Sequence, residues 1–220
     1  MVPETDKSLC RRVVTVLFFS VAFAYIEASV VVYLRALFYK QGFVFPLADF
    51  STIEGFRPFL LTEIGREAAT LVLILTASAL IARDFKARLG YFMIIFAVWD
   101  IFYYIWLKVL IGWPASIMDW DILFLMPAVW AGPVLAPVIT SVTMLFISAM
   151  LLGKRVFNVT LVRGIAFIIT VILIVICFCV AGLGITKTDY KSYFSWPIFI
   201  ILHVVIIILT LMCVENRQDQ

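Results

Sequence analysis

The chain is sparing with charge and nearly empty of histidine. Only 14% of its 220 residues are Asp, Glu, Lys or Arg, and His203 is its one histidine. The formal net charge is +3 with no dense basic run, which argues against nucleic acid as a partner. A lone histidine excludes bis-histidine haem ligation. No HExxH pair is present, and Ile200 stands three residues before His203, so the Glu-x-x-His element of carboxylate di-iron bundles is missing too. The four cysteines, Cys10, Cys177, Cys179 and Cys213, show neither CxxC nor disulfide-framework spacing. Cys177 and Cys179 fall inside an apolar run and read as packing residues. No P-loop offers a nucleotide site. Ser29, Ser51 and Ser195 lie outside any Gly-x-Ser-x-Gly turn, which counts against a nucleophilic hydrolase. No Pro-, Gly- or Ser-rich linker divides the chain, so residues 1–220 read as a single transmembrane helical domain.

What the chain does have is apolar bulk. It is 65% hydrophobic, with a mean hydropathy of +1.12, where a soluble domain sits near half. Crossing the hydrocarbon core takes ~20 apolar residues. Six segments qualify: 13–34, 59–82, 89–111, 131–152, 161–184 and 196–214. The expected fold is therefore all-α and polytopic, with six transmembrane helices plus a short interfacial or re-entrant helix at about 119–129. Ser116 with Asp119 offers that short helix a cap, and Pro127, Pro133 and Pro137 offer places to break or bend the chain.

Lys and Arg mark the cytoplasmic side. Ten of them fall on the side of Lys7, Arg83, Lys154 and Arg217, and six on the side of Arg35, Lys40, Arg57, Lys108, Lys187 and Lys191. Both termini are thus expected in the cytoplasm, most simply of a plasma (inner) membrane. Ala22-Phe23-Ala24 after basic residues imitates a secretory cleavage site, but the apolar run continues through Val32 to Leu34, beyond a signal core. The first helix is expected to stay uncleaved. Asn158-Val159-Thr160 is a formal glycosylation sequon that this topology leaves on the cytoplasmic side, unmodified. Residues 40–57, mixing Phe with charges and Pro46, are long enough to lie along the outer interface as a lid. WDIFYYIW at 99–106 and WDILFLMPAVW at 120–130 echo each other too briefly to establish a duplication.

Against this background the stretch TEIGREAATLVLILT, residues 62–76, is conspicuous, with Glu63, Arg66 and Glu67 inside five residues. They are not alone. Glu27 lies seven residues in from Leu34, Glu63 and Glu67 four and eight in from Phe59, Asp100 eight in from Lys108, and His203 seven in from Trp196. At ~1.5 Å per residue all fall roughly 6–12 Å below the outer edge. Glu63 and Glu67 share a helix face that Thr70 continues, and Arg66 can lean back toward Glu63. Tyr103 and Tyr104 stand one turn above Asp100, within reach of its carboxylate, and Asp119 and Asp121 would sit near the mouth.

Four carboxylates against one permanent cation, Arg66, leave an excess that must be protonated, hydrated or neutralised by a bound cation. Intramembrane ionisable groups are functional by default. Three expectations follow. The first is a membrane enzyme using a divalent Fe, Mn or Zn ion held by Glu27, Glu63, Glu67, Asp100 and His203. Arg66, Tyr103, Tyr104 and Asp121 would then act on a small or lipid-like substrate. The second is an ion- or proton-coupled carrier, weakened because the charges stop at one half of the membrane. The third is a non-catalytic accessory subunit of a membrane complex, its polar set a structural lock.

Overall fold

The computed structural model describes residues 6–39, 42–47, 56–153 and 156–215. It is mostly helical: α1 (Asp6–Phe38), α2 (Phe56–Ile81), α3 (Phe85–Ile111), α4 (Leu135–Leu152), α5 (Leu161–Gly182) and α6 (Trp196–Cys213). All six helices are long and apolar enough to cross a membrane, which fits a multi-pass membrane protein. Their edges lie close to the expected segments, and α1 runs further at both ends.

Residues 119–129 do not form the expected short helix. Trp120–Phe124 is a strand, β1, paired antiparallel with β2, Trp130–Pro133. Trp120 faces Pro133, Asp121 faces Gly132, Ile122 faces Ala131 and Phe124 faces Trp130, with an irregularity between Ile122 and Phe124. Trp, Ile and Phe alternating along β1 suit a strand, while Pro127, Gly132 and Pro133 deny a helix its donors and its stiffness. The Ser116–Asp119 cap therefore has no helix to serve. The hairpin continues outward through Val134 N to Asp119 O at 2.9 Å and Leu135 N to Ile117 O at 2.8 Å. Pairing of this kind lets non-helical backbone survive where water is scarce. Because β2 takes residues 130–133, α4 begins four residues later than expected, and Pro137 falls in its tolerant first turn.

The chain forms two compact units. The first comprises residues 1–40, 74–116 and 137–153, the second 41–73, 117–136 and 154–220. In the first, α1 packs along α3. Phe23 meets Trp99, Tyr25 meets the edge of Trp106, and the Arg35 guanidinium lies 3.8 Å from the Trp113 ring. Partners rise together along both helices, so the two run parallel. Ser20, Ala24 and Ala28, spaced one turn apart and fully buried, let the backbones approach closely. Trp106 Nε1 uses that approach to donate to Val21 O at 3.0 Å. Against α3, α4 runs the other way: Ser141 meets Asp100, while Ser148 Oγ donates to Gly90 O at 2.9 Å.

In the second unit β2 lies across the end of α5. A Cβ on Gly182 would sit 1.8 Å from Val129 O, so only glycine admits the backbone of the hairpin there. Trp130 stacks on Phe178 with rings 6.2 Å apart and 3° from parallel, and Gly132 faces the same ring. Phe178, Phe194, Trp196 and Phe199 join this contact into one aromatic cluster between α5 and α6. Of the segment 40–57 expected as a lid, residues 40, 41 and 48–55 lie outside the described residues. Within it Leu47 N donates to Ile185 O at 2.7 Å, and Phe45 packs on Trp120 and Tyr190. Thr160 of the sequon caps α5, its hydroxyl accepting from Arg163 N at 3.4 Å.

Candidate functional site

The head of α2 resolves its charges locally. Arg66 Nε donates to Glu63 Oε2 at 2.9 Å, and Nη2 donates to Oε1 of the same carboxylate. The i,i+3 spacing makes this fork-to-fork pair possible, and both side chains are about one-fifth exposed. Glu67, one turn further along, is buried. Its two carboxylate oxygens accept from a single backbone donor, Leu125 N, at 3.1 and 2.9 Å. Leu125 follows directly on β1. A buried acid of α2 thus holds the tip of the hairpin, and the contact satisfies an amide that no strand partner takes. Thr70 continues the buried face as expected.

The hairpin carries a second acid. Asp121 is 2% exposed, and its Oδ1 accepts from Ile122 N at 3.0 Å. In the register it opposes Gly132, the smallest partner a strand can offer. His203 is also buried; its Nδ1 lies 2.9 Å from Phe199 O and its ring 4.2 Å from the Phe199 ring. A carbonyl partner requires the proton on Nδ1.

Glu63, Arg66, Glu67, Asp121 and His203 belong to the second unit, whereas Glu27, Asp100, Tyr103 and Tyr104 belong to the first. Glu27 is buried on the face of α1 that holds Ala24 and Ala28. Asp100 Oδ2 accepts from Ser141 Oγ at 2.7 Å, a donor from α4 that helical spacing within α3 does not point to. Tyr103 and Tyr104 meet edge to face at 4.9 Å, and the buried Tyr104 packs on Trp113.

The donors expected for a divalent metal are all among the described residues. Among those residues no three His, Cys, Asp or Glu side chains come together to hold an ion. The expectation of iron, manganese or zinc stands on residue type alone. Helical spacing pointed to the Glu63–Arg66 pair. It could not point to Leu125 or Ser141, which lie 58 and 41 residues from the acids they serve. Nor could it point to Trp130, whose buried Nε1 meets no hydrogen-bond partner among the described residues. No protein-family model, curated protein or solved structure matches this chain.

Proposed function

We propose that the chain is a multi-pass membrane protein that handles a small or lipid-like molecule at an acid-rich site in its second unit, formed by the head of α2 and the hairpin. One observation carries this reading: Glu67 and Asp121 are both buried at the hairpin, each fixed on a backbone N–H. A carboxylate held by an amide is oriented in advance, as recognition of a donor-bearing or basic ligand group requires. Arg66, steadied by Glu63, supplies a complementary charge on the same helix. The chemistry within reach of these residues includes acid–base exchange and hydrogen bonding. The bias of Lys and Arg supports a plasma (inner) membrane with both termini in the cytoplasm.

A second reading has its own observation. The contact between Glu67 and Leu125 N is also what a structural lock would look like, and it favours a non-catalytic subunit of a membrane complex.

The two separate by mass spectrometry of small molecules and lipids co-purifying with the wild type, Glu67→Gln and Asp121→Asn, with elemental analysis alongside. A species enriched with the wild type and lost from both folded variants supports a ligand site. Variants that lose folding while no species is lost favour the lock, and a stoichiometric metal lost with them would restore the metal-dependent enzyme. A coupled carrier would show ion-dependent flux in proteoliposomes.

A further inference from the structure

The parallel run of α1 and α3 carries a contact made at one level down both helices together. Phe23 of α1 meets Trp99 of α3, with rings 6.3 Å apart. Eleven residues before Phe23 stands Arg12, and eleven before Trp99 stands Arg88. Eleven residues are about three helical turns, so each arginine returns to the face of its ring, roughly 16 Å nearer the N-terminal end. Arg88 is also eighteen residues, about five turns, before Trp106, whose indole donates to Val21 O of α1. The two arginines thus flank one seam at one end of the pair. Both are exposed. Arg88 is steadied there, its Nε donating to Ala82 O at 3.0 Å.

Their depth suits a lipid headgroup. The apolar spans begin at Leu9 and Phe85, so each arginine lies three residues inside its span, about 4.5 Å. From there a long side chain reaches the phosphate level while its stem stays in apolar surroundings. Arg11, Arg83 and Lys86 add positive charge at the same end. Asp6 and Lys7 offset one another, and Asp84, which accepts from Ala87 N, is the other acid there among the described residues. On the side toward the membrane centre the seam turns aromatic. Phe19, two turns on from Arg12, is exposed, and Phe92, one turn on from Arg88, is half-buried. A free phosphate would use the cations alone. A phospholipid uses the cations and the apolar surface next to them.

We infer that the seam between α1 and α3 is a binding site for an anionic glycerophospholipid, its phosphate between Arg12 and Arg88 and an acyl chain along Phe19 and Phe92. Two like charges flanking a seam repel, and an anion between them turns that repulsion into attraction. The site lies in the first unit and shares no residue with the acids at the head of α2, so either reading can fail without the other.

The test places full-length protein in nanodiscs of equal phosphatidylglycerol and phosphatidylcholine with identical acyl chains. Native mass spectrometry counts the lipids retained on release. The wild type should retain phosphatidylglycerol preferentially. Arg12→Gln and Arg88→Gln should each lower that preference about fivefold, the worth of one cation close to an anionic lipid. Arg12→Lys and Arg88→Lys should keep most of it. Thermal unfolding in pure phosphatidylcholine discs should be the same for all five proteins, which separates lost binding from lost folding. Arg57→Gln, at the first turn of α2, should leave the preference unchanged. Equal preference in the wild type and both glutamine variants would overturn the inference. So would an Arg57→Gln loss as large as theirs, because the attraction would then be diffuse. Displacement of the lipid by inorganic phosphate beyond that by sodium chloride of equal ionic strength would also overturn it, as the mark of a free-anion site.

Discussion

Replacing Gly182 by alanine tests the packing of the hairpin most sharply. The added Cβ would fall 1.8 Å from Val129 O and 2.8 Å from Val129 C. Contacts under 3.0 Å are essentially never seen for real Cβ atoms, so the hairpin tip must retreat by more than an ångström. The obstacle is backbone on both sides, and no side chain can rotate out of the way. Alanine gains about 1 kcal/mol over glycine in helix propensity. Against that, forced overpacking costs roughly 1–3 kcal/mol. A tip that moves also stretches the bond from Leu125 N to the Glu67 carboxylate, worth about 1.5–3 kcal/mol. The net expectation is a loss of roughly 2–5 kcal/mol. Reversible unfolding in mixed micelles, followed by helical circular dichroism, reads this directly. Gly65→Ala is the control, because nothing lies within 4 Å of its Cβ position in the same protein. It should be neutral or stabilising by up to about 1 kcal/mol. A Gly182→Ala protein as stable as Gly65→Ala would show that β2 does not lie against the end of α5.

Other outcomes follow from single contacts. Ser141→Ala removes the hydroxyl on Asp100 Oδ2 and should cost about 1–3 kcal/mol, while Ser141→Thr, which keeps a hydroxyl, should cost less in the same unfolding assay. Asp84→Ala deletes the side chain that accepts from Ala87 N at the start of α3 and should cost about 1 kcal/mol. The Tyr193 hydroxyl, 2.6 Å from Lys187 Nζ, raises the Lys187 pKa above its ordinary 10.5. That interaction is complete below 10.5 and is lost as pH climbs through the raised value. Tyr193→Phe should therefore bring the Lys187 midpoint down toward 10.5 in a titration of labelled lysine, and an unmoved midpoint would refute the contact.

The helices were legible because their signal is cumulative: some twenty apolar residues in a row leave little else for the chain to do. The edges of α5 and α6 were legible for the same reason, with Thr160 and Ser195 just ahead of them. The hairpin was not. WDILFLMP is apolar enough for a short helix, and its strand character shows only once Gly132 and Pro133 are paired back onto Asp121 and Trp120. Within the site, Glu63 and Arg66 could be matched because three residues along a helix bring side chains together. Glu67 looked like a candidate ligand, and its partner turned out to be the amide of Leu125, a donor every residue but proline carries and that no residue type announces. Gly182 was equally silent, since its meaning lies in what passes over it.

The most direct measurement on this protein is the amide proton of Leu125, observed by NMR in micelles with the leucines labelled. If Glu67 anchors the hairpin tip, that proton should resonate well downfield and exchange slowly. In Glu67→Gln it should move upfield and in Glu67→Ala exchange fast, while the amides of β1 and β2 stay protected. A Leu125 proton with the same shift and exchange rate in all three proteins would contradict the anchoring of the hairpin by α2.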